Sequence, residues 1–344
     1  MTMRQSLRAG SVVAVLASAL FLAGCRSPSS GRTLQRYEFK SPHMGTLFSI
    51  TLYAPDRATA TNAAAAAFDR IAALDRMMTD YDPNSELMQL CHQPVGVPAR
   101  VSDDLFDVLE KAQRVAELSD GVFDVTVGPY VRLWRRARRT QTLPSAELLA
   151  AAREPVGCKK LRLDARNRTA TLAVPNMQLD LGGIAKGYAA DNALQVLNSK
   201  GISRALVAAS GDIAVGDAPP GKPGWRVGIG TPDTADTKLA RTILLRNAAV
   251  STSGDTEQFV EINGMRYSHI VNPKTGVGLT ERIQISIVAK DATTTDAFAT
   301  AVSVLGAKRG LALVESQPNL AVLILRKSGN TTEVFTSRRK RVTH

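Results

Sequence analysis

Phe48, Ile50 and Leu52 alternate with Ser49, Thr51 and Tyr53, a period of two that predicts a strand with one buried face. The pattern then changes. From Arg57 to Asp80 an alanine-rich segment sets Phe68, Ile71, Leu74 and Met78 at helical spacing. It runs into Tyr81-Asp82-Pro83-Asn84-Ser85, whose residues favour a turn. Ser102, followed by Asp103 and Asp104, has the chemistry of a helix N-cap and first turn. Behind it Leu105, Val108, Leu109, Ala112, Val115 and Ala116 form one stripe, and Gly121 follows the helix end. Val122 to Pro129 reads as an extended segment stopped by Gly-Pro, residues 144–153 as a helix, and 161–174 as a hairpin.

Further strands are predicted at 204–209, 225–230 with Trp225, Val227 and Ile229 inward, 241–252, 258–262, 283–290 and 320–326. A helix pair is predicted at 293–316, and Pro219 to Gly224 is a surface loop. Strands without regularly interleaved helices argue against a doubly wound parallel sheet. The expectation is α+β, with mixed or antiparallel sheets and packed helices.

One stretch organises the rest. Met177, Leu179 and Leu181 alternate with Gln178 and Asp180 as a short strand would, Gly182 and Gly183 break it, and Ile184 onward reads as a helix closed by Gly201. Such a turn leaves backbone N–H groups pointing towards a possible anion, with Lys186 adding positive charge one turn into the helix. Asp180, just before the turn, can accept hydrogen bonds from a ligand or support a metal. An ordinary strand–turn–helix joint has the same pattern, so other segments must decide.

Composition and charge narrow the setting. Arg4 and Arg8 followed by an apolar run from Ser11 to Leu22 make a targeting signal, too short for an ordinary membrane span. Leu22-Ala23-Gly24-Cys25 resembles a bacterial lipobox, which places a lipid on Cys25; plain secretion with cleavage nearby is the alternative. The expected organisation is a signal peptide at 1–24, a flexible tether at 25–36, one domain or two intimately packed lobes at 37–336, and a basic tail at 337–344. No later run is expected to approach membrane-spanning length. Residues 1–24 carry two arginines and no acid, so their removal lowers the formal charge from +12 to +10. A basic protein on a lipid anchor is drawn to anionic headgroups. The densest basic cluster, Arg132, Arg135, Arg136, Arg138 and Arg139, has only Trp134 as an aromatic and lies in no nucleic-acid motif. It reads as a solvated helix end, and no nucleic-acid partner is expected. Cys91 and Cys158 could pair in an oxidising compartment, but their spacing does not decide it.

Three segments carry candidate chemistry. In Asp291 to Thr300, Asp296 and Thr300 are four apart, so both oxygens lie on one helical face while Ala297, Ala301 and Val304 line the buried one. A carboxylate with a hydroxyl suits a hard cation such as Mg²⁺, although a capped helix with a polar stripe looks alike. Ser268 to Gly276 reads as a strand entering a tight turn and holds His269, one of three histidines inside the presumed domain with His43 and His92. A histidine there can be a general acid or base, or structural. Ser251-Thr252-Ser253-Gly254-Asp255 is a small polar run able to wrap phosphate oxygens. P-loop, GxGxxG, GxSxG and HExxH signatures are absent from the chain.

In order, Met44-Gly45-Thr46, YDPNSEL, GVFDVTVGP, LDLGGIAKGYAAD, SGD, STSGD, SHIVNPKTG and DATTTDAFAT follow one another across residues 37–306. This succession resembles the ApbE family of flavin transferases and covers nearly all of the chain beyond the signal. The resemblance implies an ApbE-like fold with a T-fold-like core. It implies binding of FAD and Mg²⁺, and transfer of the FMN half of FAD to a threonine or serine of an acceptor protein with release of AMP. It assigns the metal to Asp296, Thr300 and the backbone carbonyl of Gly183. Flavin-nucleotide contacts fall to Met44, Tyr81, Val122, Phe123, Asp124, Asp180, Lys186, Ile270 and Val271. His269 takes the catalytic histidine position, beside Asp296.

Two departures matter. Thr256 stands where many relatives carry a tyrosine, and Ala299 where other members have a second acid, leaving Asp296 as the sole expected side-chain carboxylate ligand. The implied setting is the extracytoplasmic face of the bacterial inner membrane, with a membrane redox-pump subunit as acceptor. Hydrolysis of FAD to FMN and AMP, or storage of FAD by a non-catalytic lipoprotein, stay open as alternatives. Retention of His269, Asp296, Thr300 and Lys186 together favours the enzymes.

Overall fold

In the computed structural model, which describes residues 33–229, 241–254 and 259–338, the alternating segments become strands of antiparallel sheets, one large and three small. The chain begins with β1 (Gln35–His43) and β2 (Thr46–Ala54), then helices α1 (Arg57–Met78) and α2 (Glu86–Cys91), the short β3 (Ala99–Arg100) and α3 (Asp103–Leu118). A 3-10 turn at Val125–Val127 leads into α4 (Gly128–Thr140), α5 (Ala146–Arg153) and the hairpin β4 (Leu161–Asp164) and β5 (Thr169–Leu172). Next come α6 (Ala185–Ser199), β6 (Ala205–Ala209), β7 (Asp212–Val215), β8 (Trp225–Ile229), β9 (Arg241–Leu245) and β10 (Ala248–Gly254). The chain closes with β11 (Phe259–Ile262), β12 (Met265–Ser268), β13 (Ile283–Ala289), α7 (Ala292–Glu315), β14 (Ala321–Ser328) and β15 (Thr331–Thr336).

The main sheet has eight strands in the order β1-β2-β6-β7-β10-β13-β14-β15, every neighbouring pair antiparallel. Helices α1, α6 and α7 pack on it and on one another. Phe48, Ile50, Val207, Ile285, Ile287 and Ile324 face that helical layer in the principal core. The other face is covered by the β8–β9 ribbon, whose inward Trp225, Val227 and Ile229 meet Val215, Val250, Leu323 and Leu325. Two covered faces explain why β13 is buried along nearly its whole length. The α+β reading with antiparallel sheets therefore holds.

Local chemistry sets the element ends. Ser102 caps α3 through Leu105 N–H, and Asp291 caps α7 through Thr294 N–H. Gly306, at φ 73° and ψ 176°, breaks α7 into the helix pair expected at 293–316. Counted across that break, Ala292–Glu315 is long and apolar enough to cross a membrane by length and composition, which corrects the expectation that no later run would be. It is the core helix, packed on β10, β13 and β14.

Other expectations need correction. Val122–Pro129 is not a strand stopped by Gly-Pro: Asp124 caps the 3-10 turn and Gly128-Pro129 opens α4, since proline fits the first helical turn. Met177–Leu181 alternates in burial but joins no ladder; Asp180 N–H donates to Val125 O at 2.8 Å and Gly128 N–H to Gln178 O at 3.2 Å. The strand placed at 241–252 splits into β9 and β10 at Asn247, whose φ is 48°. β1 starts at Gln35, two residues inside the stretch assigned to the tether. At the other end Ser337 exchanges hydrogen bonds with Val322, so the segment assigned to a tail begins tied to β14. Cys91 and Cys158 are both free thiols. The signal peptide, Cys25, Asp255 and Thr256 lie outside the described residues.

Candidate active site

Helix α4 joins three loops into one cleft. On its buried side Tyr130, Trp134 and Ala137 recur at helical spacing. Trp134 Nε1 donates to Gly276 O at 2.7 Å. A Cβ on Gly276 would come 2.4 Å from the Tyr130 ring, so the turn that follows His269 is seated on this helix. At the helix start Gly128 touches Gln178, where a Cβ would come 2.5 Å from the carbonyl oxygen. The segments holding Val122 to Asp124, Asp180 to Gly183, and His269 to Val271 are thereby fixed around one opening.

That opening is a cleft of about 1270 Å³. Its wall includes every site residue expected inside the domain: Met44, Tyr81, Val122, Phe123, Asp124, Asp180, Gly183, Lys186, His269, Ile270, Val271, Asp296 and Thr300. Met44 is held in a left-handed turn (φ 49°) with its N–H on Asp75 Oδ2 at 2.8 Å. His269 is exposed between buried Ser268 and Ile270. Asp124 turns one carboxylate oxygen away to its own turn, Oδ1 accepting from Thr126 N–H at 2.8 Å and from Thr126 Oγ1 at 2.7 Å.

The floor lies between α6 and α7. Gly187 N–H donates to Asp296 Oδ2 at 3.1 Å, and Lys186 Nζ stands 3.7 Å from Asp296 Oδ1 while also bonding Asp212. Asp296 is only 2% exposed. Burial, and then the Asp212 charge, push its carboxyl up to about 7, against the pull of Lys186 and Gly187 N–H. Burial disfavours the Lys186 ammonium, yet Asp296 and Asp212 outweigh it and bind its proton more tightly than usual. Lys186 is therefore gripped by two carboxylates instead of standing open beside the turn. The N–H nest expected there is also largely used: Gly182 donates to Asp180 Oδ1, Ile184 and Ala185 to Leu181 O, and Gly187 to Asp296.

Thr300 and Gly183 face each other, since a Cβ on Gly183 would lie 3.0 Å from Thr300 Oγ1. Among the described residues no group of three or more His, Cys, Asp or Glu side chains could hold a metal unaided. An all-oxygen set of Asp296, the Thr300 hydroxyl and a backbone carbonyl suits a hard cation that retains water and takes substrate oxygens. A cation at this point would favour the ionised form that burial disfavours in Asp296. The residues present fit Mg²⁺.

Two site residues were not singled out from sequence. Asp212 heads β7 after the Ser210-Gly211 turn and brings a second carboxylate to Lys186. The SGD motif was its only signal. Arg135, read as part of a solvated helix end, reaches into the cleft, bonding Asp80 and, at 2.9 Å, Asp180 Oδ2, with its guanidinium carbon 4.3 Å from the Tyr81 ring centre. Burial and then Asp80 raise the Asp180 carboxyl above its ordinary range, opposed by Arg135 and Gly182 N–H.

The family model described as "ApbE family" matches residues 44–324. Among relatives named FAD:protein FMN transferase, that of Vibrio cholerae serotype O1 is 31% identical over 327 residues, covering 94% of this chain and 95% of its own. That of Escherichia coli K12 is 28% identical, with 94% and 95% covered. The solved "Flavin Transferase ApbE from Vibrio cholerae" superposes with a TM-score of 0.81 at 29% identity, over 89% of this chain and 98% of that one. The crystal structure of the apbe protein from Thermotoga maritima gives 0.79 at 29% identity, with 88% and 97% covered. With its site segments in family order around one cleft, this chain belongs to the ApbE family.

Proposed function

We propose that this protein is a FAD:protein FMN transferase, an enzyme that moves the FMN half of FAD onto a threonine or serine hydroxyl of an acceptor protein and releases AMP. The observation that carries the reading is the convergence of His269, Asp296, Thr300, Gly183 and Asp180 on one cleft of about 1270 Å³, ample for a dinucleotide. In the reaction the acceptor oxygen attacks the FMN phosphorus, the bridge to the AMP phosphate breaks, and AMP leaves with the bonding pair. The hydroxyl proton passes to His269, which is exposed at the cleft wall. Bound by Asp296, Thr300 and the Gly183 carbonyl, Mg²⁺ would supply positive charge to the pyrophosphate oxygens. Lys186, 3.7 Å from Asp296 Oδ1, holds that carboxyl in place and favours its ionised form against burial.

The test is incubation with FAD, Mg²⁺ and an acceptor polypeptide bearing a Thr/Ser flavinylation motif, followed by intact mass of the acceptor and assay of AMP. One FMN added per acceptor, with equal AMP, is expected. FMN and AMP appearing without acceptor modification would instead identify a hydrolase, and binding without turnover a storage protein.

The same reading places the protein on the extracytoplasmic face of the inner membrane, anchored by a lipid on Cys25, with a membrane redox-pump subunit as acceptor. The Leu22 to Cys25 box behind a short apolar run supports it. Cys25→Ser should move the protein to the soluble fraction; a variant still on the membrane removes the anchor.

A further inference from the structure

We propose that Arg135 is a positioning residue of the cleft: held by Asp80 and Asp180, it fixes the Tyr81 ring as a stacking platform for the aromatic ring of a flavin nucleotide and neutralises the acidic wall beside it. The inference rests on the flavin-transferase reading.

Helix α4 carries five arginines, and their surroundings differ. Arg132, Arg136, Arg138 and Arg139 are exposed and form no ion pair among the described residues, whereas Arg135 bridges Asp80 and Asp180. Its side chain leaves α4 beside the buried Trp134, on the side facing the cleft. The planar fork of a guanidinium can meet two carboxylates in its own plane while presenting a flat face at right angles to it. The guanidinium carbon stands over the Tyr81 ring, 4.3 Å from its centre.

Tyr81 is otherwise 77% exposed, on a loop that follows α1. An exposed tyrosine on a loop samples several rotamers, and any ligand stacking on it must freeze them. Contact with an arginine that is itself held at two points removes much of that cost beforehand. One ring face is covered by Arg135, and the residue, largely exposed, lines the cleft.

Charge makes the second half of the argument. Without a cation between them, Asp80 and Asp180 would present two neighbouring carboxylates to an anionic dinucleotide. Among the described residues the cleft's other half-buried cation, Lys186, is already committed to Asp212 and Asp296, and Arg138, which also lines the cleft, is exposed. Arg135 is the group that offsets this wall.

The experiment titrates FAD into the full chain, reading flavin fluorescence, for wild type, Arg135→Gln, Arg135→Lys and the double variant Arg135→Gln/Asp80→Asn. Stacking on tyrosine quenches flavin emission, so quenching reports the platform separately from affinity. Arg135→Gln should weaken FAD binding by about tenfold or more and reduce the quenching of bound flavin, with the loss in transfer appearing in KM for FAD more than in kcat. Arg135→Lys, which keeps the charge without the planar fork, should regain affinity but not quenching. The double variant should regain part of the affinity because one stranded carboxylate is gone.

Equal affinity and equal quenching in wild type and Arg135→Gln would overturn the proposal. So would a fall in kcat with unchanged FAD affinity, or a lysine variant that restores both readouts. Should Arg135→Gln unfold, the lysine variant still decides, because loss of quenching at retained charge is expected only of a platform. Absence of FAD binding by the wild-type protein would sink the flavin-transferase reading itself, a result distinct from any of these.

Discussion

Gly187→Ala sets two physical effects against each other. Gly187 lies in α6, where alanine is the better helix former by about 1 kcal/mol. Propensity alone therefore predicts a more stable protein. The structure predicts the opposite, because a Cβ at this position would lie 2.1 Å from Ala292 O, 2.6 Å from Ala292 C and 2.9 Å from Asp296 Cβ. Ordinary contact between such atoms begins near about 3.5 Å, so the overlap exceeds an ångström, and two of the three atoms are backbone that no rotamer change can move. α6 and α7 must separate at the point where both pack into the core. Overpacking of this kind costs about 1–3 kcal/mol, and the rigid neighbours argue for the upper end. Net of the propensity gain, the variant should lose about 2 kcal/mol, lowering Tm by about 4–8 °C for a domain of this size. The same shift lengthens the 3.1 Å bond from Gly187 N–H to Asp296, so transfer activity should fall at temperatures where the fold is intact. Thermal unfolding by circular dichroism measures the first effect and initial transfer rates the second. A Tm equal to or above that of the parent protein would show that α6 and α7 do not approach as closely as the structure has them.

Asp296→Ala should lower flavin transfer roughly a hundredfold or more and abolish its dependence on Mg²⁺, while Tm changes little because the substitution removes a buried charge; unchanged turnover at limiting Mg²⁺ counts against the metal set. His269→Ala should bind FAD normally yet transfer it more slowly by roughly two to four orders of magnitude, and normal single-turnover rates at saturating FAD would remove this residue from the chemistry. Asp191 gives a pH signature: burial pushes its carboxyl up to about 6 although Ala292 N–H, Thr293 N–H and the Thr293 hydroxyl all donate to it. The folded chain then binds this proton more tightly than the unfolded one, so the stability it contributes is full below about pH 4 and is lost as pH rises through about 6. Two units correspond to about 3 kcal/mol, so urea unfolding of Asp191→Asn beside the parent should show their difference moving by up to that amount in the variant's favour between about pH 4 and 7. A difference independent of pH refutes it.

Where one face of an element meets water, its period could be read from the chain. β8 alternates because one side packs on the sheet core and the other does not, and α3 shows its buried stripe for the same reason. Where the contrast vanishes, so does the signal. β7 is four residues with an aspartate at its head, β15 is half-exposed throughout, and α2 spans six residues, too few for a helical period to repeat. The Gly128-Pro129 pair was ambiguous by nature, since the same residues end a strand or open a helix, and contact with Gln178 some fifty positions away decides between them.

The cleft divides along the same line. Its loops could be ordered along the chain because each carries a dense local motif, and all the expected domain residues do meet at one opening. Charge partnership is not local in that sense. Lys186 beside two glycines looks the same in sequence whether its ammonium faces solvent or is gripped by Asp212 and Asp296 from β7 and α7. Five arginines within eight residues likewise look alike until the fold brings Asp80 and Asp180 to Arg135 and leaves the other four with no acid partner among the described residues. What distinguishes these side chains is which acid the fold carries to them. Within this site, residue type and order therefore locate the cleft, while the long-range ion pairs determine which of its charges remain available to a substrate.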